Sequence, residues 1–204
     1  MKKVDTNMVI ALAALVTSVV AVFIAWDESR LMRRSQEAAF IPIIEIEGGG
    51  DFTVPQVHLR VHNTGHGVAF VESMRFLAGD TPLTGWTALS SLFLNEELDR
   101  VADLSWDSAM GYYPVGEDRT VMSITFPEAY RDAVRQHLLY DNAKGFASLN
   151  VEACYCSVFG KCWTKNMQRK GRPEPTAVCT PTSDPMDAVW TSFVASRPEA
   201  SSDE

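Results

Sequence analysis

The stretch Met8–Trp26, MVIALAALVTSVVAVFIAW, decides how the rest of the chain is interpreted. It carries no charge, and Thr17 and Ser18 are its only polar interruptions. At a rise of about 1.5 Å per residue, a helix of this length spans roughly 28 Å, close to the hydrocarbon thickness of a bilayer. Because a bilayer offers no partner to backbone polar groups, the stretch is predicted to be a transmembrane helix with Trp26 at the interface.

The flanks of this stretch favour an anchor over a cleaved signal peptide. A signal peptide has a shorter apolar core followed by a small-x-small cleavage site, and no clean site precedes the charged flank. We therefore expect 8–26 to remain uncleaved with the lipid bilayer as its partner, and 1–7 to be a short N-terminal flank. Residues 27–40 lack Gly and Pro and are predicted to form a helical stalk that ends before Pro42.

The charges around the stretch leave its orientation open. Lys2 and Lys3 flank one end, and Arg30, Arg33 and Arg34 flank the other. The positive-inside rule compares such charges, and here they nearly balance. The side of the membrane on which the soluble part lies must therefore be inferred from other features.

Composition limits the partners of the soluble part. The 204-residue chain has a formal net charge of -8, and removing its first 26 residues leaves a net charge of -9. An acidic surface argues against nucleic acid, which needs a basic face, and against lying flat on anionic lipid. About 150 residues lie between Phe40 and Phe193, which suffices for one domain with a substantial core.

Alternation of apolar and polar residues predicts strands. In 54–63, Val57, Leu59 and Val61 point to one side, which is typical of a half-buried strand. After a turn rich in Gly and His, 68–77 is predicted as its partner in a hairpin or an inter-sheet corner. Further strands are predicted at 41–47, where a run of glycines ends the strand, and at 104–110, 119–126, 146–159 and 162–167.

The sequence evidence for helices in the soluble part is weaker than the evidence for strands. A short inserted helix is predicted within 84–98. A second helix is predicted over 127–143, with Thr125 and Glu128 as a capping box and Gly145 as its stop. The several short strands with turns between them indicate a mainly β fold.

The fold class expected from these elements is an antiparallel immunoglobulin-like β-sandwich with one or two inserted helices. It occupies 41–195 and follows the transmembrane helix and stalk. From 168 onward Pro and polar residues dominate, and 196–204 is predicted to be a disordered acidic tail.

Two stretches resemble known patterns. VHNTGHGVA at 61–69, followed by VGE at 115–117 and a strand, resembles the N-x-G-x-G-x-A … pGe pattern of bacterial immunoglobulin-like adhesion and surface domains. YCSVFGKCWT at 155–164 resembles a Y-x-D-x-F-G-x-x-aromatic-x-T hairpin. That hairpin is associated with uncharacterised bacterial single-pass membrane proteins that have an N-terminal transmembrane helix and such a sandwich.

The resemblance implies an architecture and no activity. It covers most of 1–167 through short motifs. The chain departs from the hairpin pattern at Ser157, where Asp is expected, and it carries Cys156 and Cys162 at variable positions.

Four cysteines provide the candidate site, namely Cys154, Cys156, Cys162 and Cys179. An even number in a membrane-tethered domain suits two disulfides in an oxidising compartment. Cys154 and Cys156 share a strand face and are poorly placed to bond each other, whereas Cys162 follows a turn beside Cys156. We expect the pairs Cys156–Cys162 and Cys154–Cys179, and the other two connectivities remain open. A four-cysteine zinc site is the alternative, although C-x-C-x5-C-x16-C differs from paired C-x2-C knuckles, and the absence of C-x-x-C disfavours a redox-active pair.

Other candidate residues are better explained by structural or solvent-exposed positions than by a functional site. His58 and His62 share a strand face but lie about 13 Å apart, too far for one metal ion, and we expect solvent-facing histidines. No nucleophile elbow, phosphate loop or zinc-protease helix occurs. The acids Glu96, Glu97 and Asp99 are expected on a solvated face. We accordingly predict no catalytic residues, no cofactor and no metal.

The sequence leads to one functional hypothesis and two alternatives. The first is a non-enzymatic, single-pass protein of the bacterial inner membrane whose periplasmic or extracellular domain binds another membrane or periplasmic protein, as an interaction module or an accessory to a membrane complex. The second is a cytoplasm-facing sensor that binds a small ligand, or zinc through its cysteines. The third is a hydrolase with an unrecognised site.

Overall fold

The computed structural model of the chain describes residues 6–51, 53–141, 148–169 and 171–197. It divides into two compact units, Met1–Phe40 and Ile41–Glu204. The predicted helix stop at Gly145 lies outside the described residues. So do the first five residues and the last seven, which include most of the predicted flank and tail.

The first unit contains helix α1, Thr6–Ala39, which continues without interruption through the predicted stalk. Its apolar part is long enough to cross a membrane. The two hydroxyls of that part are satisfied within the helix, because Thr17 Oγ1 and Ser18 Oγ donate to the Ala14 carbonyl oxygen at 2.9 and 2.7 Å. Such bonding removes the cost of placing a hydroxyl in hydrocarbon.

The second unit, called the two-sheet domain, is built on antiparallel strands. One sheet has, in spatial order, β1 (Ile44–Asp51), β2 (Gln56–Asn63), β7 (Asp118–Thr125) and β5 (Asp103–Trp106). The other has β10 (Glu174–Thr176), β9 (Cys162–Asn166), β8 (Leu149–Ser157), β3 (Ala69–Ala78) and β4 (Thr81–Leu83). Strand β6 (Gly111–Tyr113) also pairs with β3, so this sheet has six strands among the described residues.

Both sheets contribute to one hydrophobic core. In β2 the inward residues Val57, Leu59 and Val61 are almost fully buried, as the alternation predicted. Because β2 belongs to the four-stranded sheet and β3 to the six-stranded sheet, the turn between them is an inter-sheet corner.

The sequence analysis predicted that the glycine run ends β1, and this prediction was wrong. Gly49 lies within the strand opposite His58, and a Cβ at Gly49 would lie 2.9 Å from His58 Nε2. The histidine ring therefore covers a backbone without side chains, and the strand continues to Asp51.

Helices and strands occupy 39% and 34% of the described residues, so the fold is mixed: the predicted antiparallel sheets and N-terminal helix are present, and a mainly β fold is not confirmed. Helix α1 supplies much of the helical share. The remaining α-helices described are α2 (Trp86–Phe93), α3 (Glu96–Val101), α4 (Arg131–Gln136) and α5 (Pro185–Ser196).

The helix predicted over 127–143 is shorter and irregular. A 3-10 turn, Glu128–Tyr130, precedes α4, and a π turn, His137–Asp141, follows it. Thr125 is the last residue of β7, and no side chain caps the 3-10 turn. The capping-box prediction was therefore wrong, because strand pairing extends through Thr125 to Gln56 and Asp103.

Helix α5 was missed in a segment interpreted as Pro-rich and polar, and it extends one residue into the predicted tail. Asp184 caps it, with Oδ1 accepting from Met186 N at 2.9 Å, and Pro185 occupies the first turn. Met186, Val189 and Phe193 are its buried residues, at a helical spacing. The cap, the proline and this spacing were all present in the sequence.

Helix α5 packs against α2 and the end of α3. The Trp86 and Phe193 rings meet edge to face at 5.0 Å, and the Trp86 backbone N–H donates to Ser192 Oγ. The Arg197 guanidinium donates to the carbonyl oxygens of Asp99 and Ala102 at 2.6 and 3.0 Å. These bonds satisfy carbonyl groups at the end of α3 that the helix itself leaves unpaired.

Candidate functional site

All four cysteines form disulfides on the six-stranded sheet, with the pairing that the sequence favoured. Cys156 and Cys162 lie directly opposite each other on β8 and β9, with Cα atoms 4.0 Å apart. Cys154 binds Cys179, with Cα atoms 5.6 Å apart, and so ties the segment before α5 to β8. By the chain-entropy model, closing loops of 6 and 25 residues stabilises the fold by about 2 and about 3 kcal/mol.

The two disulfides touch each other. Cys156 Sγ lies 3.7 Å from Cys179 Sγ, although these atoms belong to different bonds. The sulfur atoms of Cys156, Cys162 and Cys179 all lie within 4.8 Å of one another. We call Cys154, Cys156, Cys162 and Cys179 the sulfur cluster.

Tyr112 and Phe70, which we call the aromatic row, lead to the sulfur cluster across the outer face of the same sheet. Tyr112 on β6 pairs with Phe70 on β3, and Phe70 pairs with Cys156 on β8. The Phe70 and Tyr112 rings meet edge to face at 5.6 Å. Their residues remain 37% and 52% exposed, so the row presents aromatic surface to solvent.

The turn between β8 and β9 adds further apolar surface. Val158 and Phe159 are 56% and 47% exposed, and Gly160 in this turn has φ +73°. The sequence analysis did not single out Phe70, Val158 or Phe159. The available signal for Phe70 was an apolar residue in the outward phase of a strand, between inward Ala69 and Val71.

The N-x-G-x-G motif has a structural role. Asn63 is fully buried, and its Nδ2 donates to the carbonyl oxygens of Gly67 and Tyr113 at 2.8 and 3.0 Å. Its Oδ1 accepts from the backbone N–H groups of Gly65 and Ile43 at 3.1 and 3.3 Å. This side chain therefore joins the start of the domain, the corner turn and the end of β6.

The pGe part of the pattern is hydrogen-bonded to the backbone of Asn63 as well. The Asn63 backbone N–H donates to the Glu117 carbonyl oxygen at 2.9 Å, and Gly116 N donates to the Asn63 carbonyl oxygen at 3.0 Å. Gly116 has φ +78°, a conformation that glycine adopts without steric cost. The two halves of the motif thus form one hydrogen-bonded corner.

Two buried tyrosines are held in their neutral form. Burial raises the pKa of Tyr113 to about 12, although the Arg119 guanidinium, 4.4 Å from the ring centroid, opposes the shift. Burial also raises the pKa of Tyr155 above its usual value. Tyr113 Oη donates to the Ala109 carbonyl oxygen at 3.3 Å, which gives this phenol a structural role.

An ion pair links the two sheets. Lys165 on β9 is 6% exposed, and its Nζ lies 2.8 Å from Glu45 Oε2 on β1. The same ammonium donates to the Gly171 carbonyl oxygen at 3.2 Å. Lys165 lies opposite buried Ala153, so it occupies an inward position where alternation predicts an apolar residue.

A polar cavity of about 310 Å³ opens beside this ion pair. Asn150 lines it and is 7% exposed, and its Oδ1 has no hydrogen-bond partner in the described part of the chain. Arg172 and Glu152 bring charges of both signs to the lining. The lining therefore combines both signs of charge, although the Asn150 Oδ1 atom itself is not exposed to the cavity.

The remaining candidates take structural positions. Within the described residues, the sulfur cluster supplies the one group of three or more potential metal-ligating side chains, and His58, His62 and His66 do not gather. Asp99 Oδ1 accepts from Trp86 Nε1 at 2.8 Å, so this acid is not merely solvated. Glu96 and Glu97 lie in the first turn of α3, where acids favour the helix.

Comparison with known proteins identified no relative of this chain. No protein-family model matches the chain, and neither curated proteins nor solved structures give a significant match. The function must therefore be argued from the geometry described above.

Proposed function

We propose that this chain is a single-pass protein of the bacterial inner membrane whose two-sheet domain lies in the periplasm or outside the cell and binds another protein without catalysing a reaction. Helix α1 supports the anchor, because its apolar part is long enough to cross a bilayer. Two disulfides support an oxidising compartment, since cytoplasmic thiols are kept reduced.

The observation that carries this proposal is the exposed aromatic row on a disulfide-bonded sheet. Aromatic side chains are enriched in protein interfaces because they bury a large area while losing little conformational entropy. Tyr112 and Phe70 contact each other, and the disulfide of Cys156 continues the row. A surface that is ordered before binding loses less entropy on association.

We further propose that the domain is a divergent immunoglobulin-like sandwich of the kind that the sequence motifs resemble. The order β1–β2–β7–β5 corresponds to strands A-B-E-D of that fold, and β9–β8–β3 corresponds to G-F-C. Strands β4, β6 and β10, together with α2, α3 and α5, are additions to this scheme. Folds of this class serve many unrelated functions. The fold is therefore compatible with binding and does not identify a partner.

Site-specific photo-crosslinking in intact membranes tests the interaction. A photoreactive phenylalanine analogue at Tyr112 or Phe159 is expected to give a discrete adduct with one protein, and Phe70→Ala is expected to reduce the Tyr112 adduct. Glu97, which is exposed on α3, is the matched control position and is expected to give none. No discrete adduct at either test position, or equal labelling at Glu97, would contradict the proposal.

A second candidate function is a sensor of a small polar ligand, on either side of the membrane. The polar cavity favours it, because Arg172 and Glu152 in its lining offer charges of both signs to a zwitterionic or anionic ligand. A thermal-shift screen of small zwitterionic and anionic metabolites tests this candidate. A ligand that stabilises the chain but not its Arg172→Ala variant would favour the sensor, and a silent screen would remove the support for it.

A further inference from the structure

We propose that the sulfur cluster, when both of its disulfides are reduced, is a binding site for one Zn²⁺ ion. This inference goes beyond the proposed function and does not depend on which side of the membrane the domain lies. It rests on where the fold places four sulfur atoms that come from three separate segments of the chain.

The distances between the two disulfides fit a zinc site. Zinc binds thiolates at about 2.3 Å in a tetrahedron, which places neighbouring sulfur atoms about 3.8 Å apart. The contact between Cys156 Sγ and Cys179 Sγ is 3.7 Å, and no bond imposes it. Cys162 Sγ is bonded to Cys156 Sγ and lies within 4.8 Å of Cys179 Sγ, so opening that bond would leave three sulfur atoms around one point.

The fourth ligand is within reach. Cys154 Sγ is bonded to Cys179 Sγ, so opening that bond would leave both sulfur atoms beside the same point. Cys154 and Cys156 project from the same face of β8, because they are two residues apart on a strand. Rotation of the Cys154 side chain then completes a set of four thiolates without any change in strand register.

The backbone holds these positions without the disulfides. Cys156 and Cys162 face each other because β8 and β9 pair, and Ser157 N donates to the Lys161 carbonyl oxygen at 2.7 Å beside them. Near Cys179, Thr182 N donates to the Glu72 carbonyl oxygen at 3.3 Å, which fixes the segment against β3. These backbone hydrogen bonds are the contacts that would keep the four thiols together after reduction.

The chemistry balances as follows. A phosphine and water reduce each disulfide to two thiols and become a phosphine oxide. Four thiols then bind one Zn²⁺ and release four protons, so zinc affinity falls as pH decreases. In the oxidised chain each sulfur is committed to a covalent S–S bond and supplies no thiolate. Zinc binding and disulfide formation are thus mutually exclusive states of the same four residues.

The full chain in detergent, reduced and handled without oxygen, tests the site with Co²⁺ and then Zn²⁺. One equivalent of Co²⁺ is expected to give the visible absorption and the sulfur-to-cobalt charge-transfer band of a tetrahedral thiolate complex, and one equivalent of Zn²⁺ to abolish both. Cys156→Ser and Cys179→Ser should each weaken zinc binding by about 100-fold. The oxidised chain should bind neither ion, and the double variant His58→Ala/His62→Ala should bind like the parent chain.

Several results would overturn this proposal. One is a reduced chain without the cobalt bands, and a second is persistence of the bands in both serine variants. A third is equal binding by the oxidised chain. Circular dichroism guards against a trivial failure, because a reduced chain that loses its sheet signal and does not regain it with zinc also counts against the site. None of these results bears on the crosslinking at Tyr112, so the two proposals fail separately.

Discussion

Asn63 Nδ2 donates to the carbonyl oxygen of Tyr113 at 3.0 Å and thereby joins the end of β2, in one sheet, to the end of β6, in the other. The residues are separated by 50 positions in the chain. An asparagine can make this bond and still accept from Gly65 and Ile43, because its amide carries both donors and an acceptor. The corner between the sheets depends on that combination.

Replacing Asn63 should therefore be among the costliest single changes in the domain. Asn63→Ala removes every bond of a fully buried side chain and leaves buried backbone groups without partners, so we expect a loss of about 3 kcal/mol in the free energy of unfolding. Asn63→Asp should also be destabilising because it keeps the acceptor but loses the donors. Urea denaturation of the detergent-solubilised chain measures both changes. A loss below about 1 kcal/mol, comparable with the less buried control Asn166→Ala, would refute this role.

A second prediction concerns two glycines with different surroundings. A Cβ at Gly65 would lie 2.3 Å from Ile43 N and 2.5 Å from the Ile41 carbonyl oxygen, and these backbone atoms cannot move independently. Gly65→Ala should therefore destabilise by about 2–3 kcal/mol or prevent folding. At Gly49 the nearest atoms belong to the flexible His58 ring, so Gly49→Ala should stay within about 1 kcal/mol of the parent. Equal effects in a thermal unfolding assay would contradict this contrast.

The inter-sheet ion pair predicts an asymmetry between its partners. Glu45→Gln leaves the Lys165 ammonium buried without its counter-charge and should cost about 1–2 kcal/mol, a value reduced because the Glu45 side chain is 36% exposed. Lys165→Met removes the buried charge and leaves a carboxylate that water can solvate. We expect that change to cost less than about 1 kcal/mol. Chemical denaturation of both variants decides the point, and a larger loss for Lys165→Met would show that the lysine is needed for more than charge balance.

Tyr113 gives the domain a predictable weakness at high pH. In the folded chain the pKa of Tyr113 is raised to about 12, whereas a tyrosine in the unfolded chain has a pKa of about 10. Between these values the unfolded chain loses a proton that the folded chain keeps, so stability falls as pH rises, by up to about 1.4 kcal/mol per pH unit. Tyr155 contributes in the same direction. Tyr113→Phe should reduce the slope of unfolding free energy against pH above about pH 10, and an unchanged slope would contradict the assignment.

The sequence predicted those features that depend on local pattern. Alternation in 54–63 placed β2 and its buried face. The two-residue spacing of Cys154 and Cys156 disfavoured their mutual bond, and the turn before Cys162 favoured the pairs that the structure has. The spacing could not predict the contact between the disulfides, because it depends on where Cys179 returns after β10.

Other features were missed because tertiary contacts override local signals. Strand pairing with Gln56 kept Thr125 out of a helix cap. The exposed position of Phe70 depends on what lies on the outer face of the finished sheet, and no local pattern shows that a face is left uncovered. Helix α5 is the exception, since Asp184 and Pro185 signalled its start in the sequence.

The location of the domain is the central claim, and thiol accessibility in intact cells tests it most directly. A membrane-impermeant maleimide is applied before and after reduction, and the four cysteines are then mapped in non-reduced peptides. The account predicts no labelling before reduction, labelling of the half-buried Cys154 and Cys156 in closed cells after reduction with an impermeant reductant, and recovery of the Cys156–Cys162 and Cys154–Cys179 peptides. Four free cysteines that react only after the cells are opened would place the domain in the cytoplasm and contradict the account.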